Sequence, residues 1–329
     1  MKKVVSILLA GIICFGLCAC KPKTVTTELK PVTVVLDWTP NTNHTGMFAA
    51  QELGYYKEAG LDVKIIQPAE DSAVLMVGAR RADFCVTFQE ELAAARTSDK
   101  PVPVTAVCAL IQHNTSGVVS LKDQGIKSFK DLEGKRYGSW GIPVYDEILF
   151  EAVRAQKGDP SKIKMINNTA TDTYAALKTD FDAVWIYYGW DGVIGETKGI
   201  ETNFLSFRDA NPVLDYYTPV LAANEEYLKE NPETAKAFLA ATAKGYEYAI
   251  AHPDEAAGIL VKASPEISLD IAKAGQAYLA GEYQAEAVQW GIIDEARWAR
   301  FNDWLFEKKI IPTKLGTAGF TNDYLPAKS

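Results

Sequence analysis

Hydrophobic and polar positions divide the chain into two blocks in which short strands alternate with helices, followed by a largely helical region. Short apolar runs bounded by turn residues predict strands, and apolar positions three or four residues apart predict helices. The predicted strands of the first block are 33–36, 63–67, 83–88 and 104–111. Those of the second block are 118–121, 136–139, 163–166, 183–187 and 203–207, and strand 220–223 comes after them.

The predicted helices lie between these strands and beyond them. They are 46–53, 72–80, 90–96, 144–156, 172–178, 233–251, 253–263, 269–279 and 294–308. Strands that alternate with helices are typical of an α/β architecture with parallel sheets. The chain passes between the two blocks twice, at 112–116 and at 215–218. We therefore predict two α/β lobes with a ligand cleft between them and a helical C-terminal part.

These two crossovers set the predicted domain boundaries. The first lobe is discontinuous and comprises 32–114 and 217–329, whereas the second lobe is 115–216. A protein with this organisation is expected to close its lobes on a ligand by bending at the crossovers.

The N-terminal segment has the organisation of an exported lipoprotein. Two lysines precede an apolar run, 4–16, that is too short to span a membrane comfortably. Leu17-Cys18-Ala19-Cys20 then resembles the lipobox of bacterial lipoproteins. We predict a signal peptide at 1–19, a lipidated tether at 20–31, and an extracytoplasmic protein anchored to the cell membrane by lipid on Cys20.

Charge, cysteines and histidines exclude several classes of function. The formal net charge is −8, which disfavours binding to nucleic acid or to an anionic membrane surface. Cys85 and Cys108 lie in apolar runs and are interpreted as buried thiols, with a disulfide between them left open. The three histidines, His44, His113 and His252, have no metal-ligand spacing. No nucleophile, phosphate-binding or zinc motif occurs, so we expect no enzyme activity, cofactor or metal.

Polar and aromatic side chains follow most of the predicted strands. In open α/β sheets ligands bind outside the carboxyl ends of the strands, so residues at these positions are candidates for ligand contact. The candidates are Asp37, Trp38, Asn41, His44, Gln89, Glu90, Gln112, Trp140, Tyr188, Trp190 and Asp191. For each aromatic residue taken alone, packing in the core is an equally good interpretation.

The chemistry of these residues indicates a small, flat heteroaromatic ligand. Trp38, Trp140, Tyr188 and Trp190 can stack on a ring. The amides of Asn41, Gln89 and Gln112 can read ring nitrogens, and Glu90 or Asp191 can accept from an amino group. Gly189 permits a sharp turn beside Tyr188. No orienting partner for His44 can be identified in the sequence, so binding is favoured over catalysis.

Several segments resemble one family. Leu36-Asp37-Trp38-Thr39-Pro40-Asn41-Thr42-Asn43-His44-Thr45-Gly46 looks like the opening signature of the NMT1/THI5-like substrate-binding lipoproteins. Segments 54–63, 82–84, 112–117 and 185–190 also match that group. The resemblance implies a type II periplasmic-binding-protein fold and a pyrimidine precursor of thiamine as ligand. It also implies an ABC permease and ATPase as partners, and contacts through Trp38, Asn41, Tyr188 and Trp190.

Three alternatives stay open at this stage. Similar proteins bind riboflavin-like or other ring systems, so the ligand does not follow from the resemblance. The same superfamily contains pyrimidine synthases that consume their own histidine and need a cysteine-rich cluster, which is absent from this sequence. A sensor or adhesin ectodomain is the third alternative. We expect a monomeric receptor that delivers its ligand to an importer.

Overall fold

The computed structural model describes residues 28–68 and 72–327. The predicted signal peptide, Cys20 and most of the predicted tether lie outside the described residues. Within the described ranges, no helix combines the length and the apolar character needed to cross a membrane.

In the part of the chain that the structure describes, ten strands form two five-stranded sheets. The strands are β1 (Lys30–Val35), β2 (Leu61–Ile66), β3 (Phe84–Thr87), β4 (Val104–Ala109), β5 (Ser116–Leu121), β6 (Arg136–Ser139), β7 (Lys164–Asn167), β8 (Ala183–Tyr187), β9 (Thr202–Ser206) and β10 (Val220–Asn224). The strand order is β2-β1-β3-β10-β4 in the first sheet and β7-β6-β8-β5-β9 in the second. Each predicted strand is present, with its ends shifted by three residues or fewer.

Each sheet is mixed, which corrects the prediction of parallel sheets. β10 runs antiparallel to β3 and β4, and β5 runs antiparallel to β8 and β9. These are the two strands that follow the predicted crossovers. A strand that enters from the neighbouring lobe starts at the carboxyl edge of its new sheet and must therefore run against the others. The predicted boundaries at 114/115 and 216/217 stay predictions, although the strands on either side of them belong to different sheets.

Among the described residues, thirteen α-helices cover the sheets and build the C-terminal part. They are α1 (Thr45–Glu52), α2 (Tyr55–Glu58), α3 (Ala73–Gly78), α4 (Gln89–Thr97), α5 (Pro143–Ala155), α6 (Thr173–Thr179), α7 (Val193–Thr197), α8 (Phe207–Ala210), α9 (Glu225–Glu230), α10 (Pro232–Ala251), α11 (Pro253–Ala263), α12 (Leu269–Ala280) and α13 (Glu295–Glu307). A π-helical turn, Tyr188–Gly192, connects β8 to α7. Four short helices, α2, α7, α8 and α9, were not predicted from the sequence, because one or two turns of helix carry too little periodicity.

The last helix packs on both lobes. Trp298 of α13 belongs to a core cluster of the first sheet, whereas Phe301 and Leu305 of the same helix belong to the core of the second. The Tyr216 ring of the second crossover stacks on Phe301 at 3.9 Å between centroids. Helix α13 thus packs against both sheets, and the assignment of 217–329 to the first lobe stays a prediction.

Candidate ligand-binding site

The end of β1 presents one exposed and one anchored side chain. Trp38 is 67% exposed, an unusual state for a tryptophan, and its ring is free to contact a ligand. The Asp37 carboxylate lies 2.6 Å from the buried His44 ring, between Oδ1 and Nε2. His44 Nδ1 accepts a hydrogen bond from the Asn41 backbone N–H. Because Nδ1 is an acceptor, the proton of the neutral ring is on Nε2, which donates to Asp37.

This pair supplies the partner for His44 that sequence reasoning did not find. The His44 ring is fully buried and both of its nitrogens are occupied by the protein. His44 therefore holds Asp37 in place and is not itself a ligand contact in this conformation. Asp37, which retains some exposure, is the member of the pair that a ligand can reach.

Asn41 closes a capping box rather than presenting its amide to the cleft. Its side-chain oxygen accepts from the Asn43 N–H at 2.9 Å and its amide donates to the Thr39 carbonyl at 3.1 Å. Asn41 is also largely buried. Its role here is to start the helical turn that carries His44.

The two predicted glutamines also occupy structural positions. The Gln89 amide donates to the Trp298 carbonyl and to Asn302, and its oxygen accepts from the Tyr217 N–H. The Gln112 amide donates to the Ile292 carbonyl. Both side chains are buried, so they connect the crossovers to the C-terminal part instead of reading a ring.

Glu90, the second residue of α4, is the most unusual polar group of the region. It is 2% exposed, and neither carboxyl oxygen has a hydrogen-bond partner among the described residues. Burial raises the pKa of Glu90 to about 8, and the Glu91 charge adds to this rise. The Glu90 backbone N–H and the nearby Tyr145 hydroxyl both oppose it. An unsatisfied buried carboxyl is costly unless a ligand supplies its partner.

Aromatic residues of both lobes surround this carboxyl. Phe88 of the first lobe stacks on Tyr187 of the second, with ring centroids 6.1 Å apart. Burial raises the pKa of Tyr187 and of Tyr145, and the Glu90 carboxyl makes the largest electrostatic contribution to both shifts. We call Phe88, Glu90, Tyr145 and Tyr187 the interlobe junction.

Sequence reasoning missed three of these four residues. Tyr187 is the last residue of β8, and side chains alternate across a strand, so Tyr187 and not Tyr188 contacts the first lobe's Phe88. The predicted Tyr188 packs against Phe204 and Tyr278, with its hydroxyl bonded to Glu196. The alternation of side chains along β8 is the signal in the sequence that could have identified Tyr187, and not Tyr188, as the tyrosine that faces the first lobe.

The remaining second-lobe candidates lie at different depths. Trp140 is 40% exposed and its ring meets the Tyr145 ring edge-on at 5.3 Å, which places it beside the interlobe junction. Trp190 is partly buried against the first lobe's core. Burial raises the pKa of Asp191 to about 6, and this carboxyl also raises the pKa of Tyr187. Trp140 therefore borders the junction, whereas Trp190 joins the lobes by packing.

Cys85 and Cys108 are buried free thiols, so the disulfide between them that the sequence left open is absent. Cys85 lies on β3 and Cys108 on β4, with β10 between these strands. Within the described residues, no group of three or more histidine, cysteine or acidic side chains could hold a metal ion.

Two mixed α/β sheets, two crossovers and polar groups gathered where the lobes meet define a type II periplasmic-binding-protein fold. The periplasmic aliphatic sulphonate-binding protein of Escherichia coli has a similar fold, with a TM-score of 0.68, 15% identity, and coverage of 91% of this chain and 93% of that protein. The family model described as NMT1/THI5 like matches residues 41–256. The chain belongs to the NMT1/THI5-like family.

Curated relatives carry two kinds of name. A formylaminopyrimidine-binding protein of Halalkalibacterium halodurans is 31% identical over 278 residues, 82% of this chain and 81% of that protein. A 4-amino-5-hydroxymethyl-2-methylpyrimidine phosphate synthase of Legionella pneumophila is 30% identical over 239 residues, 72% of this chain and 74% of the synthase. Both names concern pyrimidines, one for binding and one for synthesis.

Proposed function

We propose that this protein is the substrate-binding lipoprotein of an ABC importer and that it captures a pyrimidine precursor of thiamine, of the formylaminopyrimidine or hydroxymethylpyrimidine type. It is tethered by lipid on Cys20 and acts as a monomer that delivers its ligand to a permease and ATPase. The ligand lies between the lobes, bordered by Trp38, Trp140 and Asp191 and in contact with the interlobe junction.

The observation that carries the proposal is the Glu90 carboxyl. It is buried among aromatic rings of both lobes and has no hydrogen-bond partner among the described residues. An aminopyrimidine would supply both a ring for stacking and an N–H donor for this carboxyl. The name of the Halalkalibacterium relative supports the same ligand class.

Calorimetric titration of the mature protein with a formylaminopyrimidine, a hydroxymethylpyrimidine, thiamine and riboflavin tests the proposal. We expect the pyrimidines to bind with a Kd of about 1 μM or tighter, near −8 kcal/mol. If only riboflavin bound, the protein would be a receptor for a different ring compound and not for a thiamine precursor. Heat from an unrelated solute, with none from any of the four compounds, would contradict the proposal.

Trp38→Ala separates a binding role from a packing role. Because Trp38 is mostly exposed, its removal should abolish measurable pyrimidine binding while changing the free energy of unfolding by less than about 1 kcal/mol. Phe306→Ala, an exposed aromatic on α13, is the matched control and should leave binding unchanged. Equal losses of binding and stability would identify Trp38 as a structural residue.

A pyrimidine synthase is the second candidate, because relatives carry that name and because Asp37 orients His44 at 2.6 Å. The complete burial of His44 and the occupation of both ring nitrogens favour binding over a reaction at this ring. Incubation of the protein with pyridoxal phosphate, followed by mass spectrometry of His44, distinguishes the two. Pyrimidine formation with a mass change at His44 would establish the synthase.

A further inference from the structure

The Trp185 indole carries an unused hydrogen-bond donor inside the second lobe. Trp185 lies on β8 and is 3% exposed, and its Nε1 has no hydrogen-bond partner among the described residues. The indole nitrogen of a tryptophan can only donate, and a buried donor that lacks an acceptor is costly. Packing alone therefore does not account for this N–H group.

Other buried tryptophans have acceptors within the protein. The N–H groups of Trp290 and Trp298 donate to backbone carbonyls, at 3.2 and 2.9 Å. The Trp304 N–H is unpaired, but a carboxylate lies near it, because Lys308 contacts both the Trp304 ring, at 5.9 Å, and Glu151, at 2.6 Å. The β8 indole contacts aromatic rings instead, and none of them accepts its proton.

Trp185 lies on the same face of β8 as Tyr187 of the interlobe junction. Side chains alternate along a strand, so residues two apart point to one side and lie about 7 Å apart. Tyr187 stacks on Phe88 of the first lobe. The unpaired donor is therefore one step deeper in the second lobe than the ring that meets the first lobe.

Three aromatic rings extend from the protein surface to this donor. The Trp140 and Tyr145 ring centroids lie 6.0 and 5.4 Å from that of Trp185, and they lie 5.3 Å from each other. Phe207 packs on Trp185 as well, at 4.2 Å between centroids. Trp140 is 40% exposed, so its ring can turn aside for a ligand without leaving a core position.

We propose that Trp185 is a specificity-determining residue of the site and that its indole N–H donates to an exocyclic oxygen of the ring ligand. The surrounding rings leave access, past Trp140, for a small group that projects from the ligand and not for the ligand ring itself. Hydroxymethyl and formyl substituents each present such an oxygen acceptor, whereas a methyl substituent presents none. This inference rests on the proposed function, since it assigns one contact of the pyrimidine at that site.

The test compares 4-amino-5-hydroxymethyl-2-methylpyrimidine with 4-amino-2,5-dimethylpyrimidine, which lacks the hydroxyl oxygen, by calorimetry. We expect the wild-type protein to bind the hydroxymethyl compound about threefold to tenfold more tightly, as one hydrogen bond provides. Trp185→Phe keeps a ring and removes the donor, so it should lose this preference. Trp290→Phe removes a buried indole whose N–H is already paired; this control should keep the preference.

A second measurement uses the wild-type protein and does not depend on the folding of a variant. In proton–nitrogen correlation spectra, the Trp185 indole signal can be assigned through the contact of this ring with Phe207. We expect this signal at lower field with the hydroxymethyl compound bound than with the dimethyl compound bound, because a hydrogen bond deshields the proton.

The outcomes separate the inference from the proposed function. Three results would each overturn the role of Trp185 while pyrimidine binding stands: equal affinity of the wild-type protein for the two compounds, a preference that Trp185→Phe retains, or the same position of the indole signal with both ligands. Failure of the wild-type protein to bind either compound would overturn the proposed function as well.

Discussion

The Phe88 and Tyr187 rings stack across the boundary between the two lobes, with centroids 6.1 Å apart and planes inclined by 16°. Phe88 directly follows β3, and Tyr187 is the last residue of β8. The stack therefore joins the carboxyl ends of one strand from each sheet. Glu90 lies two residues beyond Phe88, which brings the unpartnered carboxyl and the stacked rings into one site.

Truncation of Tyr187 should weaken ligand binding. Tyr187→Ala removes a ring that we expect the ligand to contact, and stacking of this kind contributes about 0.5–1.5 kcal/mol beyond burial. We predict an increase in Kd of about threefold to tenfold or more by calorimetry. Tyr187→Phe keeps the ring and should retain most of the affinity. Wild-type affinity in Tyr187→Ala would place the ligand elsewhere.

The raised pKa of Glu90 makes a prediction about stability and pH. Between its ordinary value of 4.5 and about 8, the native state holds a proton that the unfolded state releases, so stability declines as pH rises through this window. Glu90→Gln removes that decline. Relative to wild type, the variant should therefore gain on the order of 3 kcal/mol in the free energy of unfolding between pH 5 and pH 8.

Urea unfolding of ligand-free protein at pH 5, 6, 7 and 8 measures this difference. A cost of the glutamine amide that does not depend on pH changes the free energy of unfolding equally at all four pH values. The test therefore uses only the slope of the free energy of unfolding against pH. Parallel curves for wild type and variant would show that Glu90 is ionised in the native state.

The two crossovers are tied together by His113. Its Nδ1 lies 2.7 Å from Asp215 Oδ2 and its Nε2 lies 2.8 Å from Glu286. Asp215 and Glu286 raise the pKa of His113, opposed by partial burial and by Arg297. The same pairing contributes to lowering the pKa of Asp215.

The sign of the pH effect follows from these directions. The stabilisation from charged His113 is complete below pH 6.5, provided that Asp215 is ionised, and is lost as pH rises through the raised pKa. His113→Gln should therefore cost about 1 kcal/mol at pH 6 and little at pH 9. Lys122→Gln, which breaks an exposed pair with Glu201, should cost less than about 0.5 kcal/mol at pH 6. Chemical denaturation at pH 6 and pH 9 measures these costs. If the cost of His113→Gln did not change with pH, the charged state of His113 would not be the source of the stabilisation.

Gly189 is required for a close approach and not for the sharp turn expected from the sequence. A Cβ at this position would lie 2.7 Å from Leu279 Cγ on α12, and a Cβ at Gly275 would lie 2.5 Å from the Gly189 carbonyl oxygen. The same oxygen accepts from the Thr42 hydroxyl at 2.7 Å. The π-helical turn and α12 thus touch backbone to backbone.

Gly189→Ala should destabilise the protein by about 1–3 kcal/mol because the methyl group overpacks this contact. Gly258→Ala is the matched control: its Cβ has open space on α11, and it should stabilise the protein by about 0.5–1 kcal/mol. Thermal unfolding measures the stability of both variants. If Gly189→Ala were as stable as wild type, α12 would accommodate the added methyl group by shifting away from the π-helical turn at no cost in free energy.

Much of the fold could be predicted from the sequence because local patterns encode it. The apolar run of β4 is fully buried, as are the first four residues of β8, and the long helices α10 to α13 carry clear periodicity. Strand direction could not be predicted, because β10 reads like any buried strand and its antiparallel course depends on where the chain re-enters the sheet. The sharing of α13 between lobes is likewise a tertiary property.

The sequence indicated which strands and loops border the candidate site better than it indicated which side chains are free to contact a ligand. Asp37, Trp38, Glu90, Trp140 and Asp191 follow strands of the structure, and their contact with a ligand stays a prediction. Asn41, Gln89 and Gln112 do not present free amides there, because capping and inter-segment hydrogen bonds use them, and sequence patterns do not reveal such pairings. Tyr145 escaped notice because it lies inside a helix and reaches the junction only through the packing of α5.

A crystal structure of the mature protein with a formylaminopyrimidine tests the central claim most directly. The account predicts a ring held between the lobes in contact with Tyr187, with a ligand nitrogen at about 2.7–3.2 Å from a Glu90 carboxyl oxygen. A ligand bound elsewhere on the chain, or one between the lobes that leaves Glu90 without a partner, would contradict it.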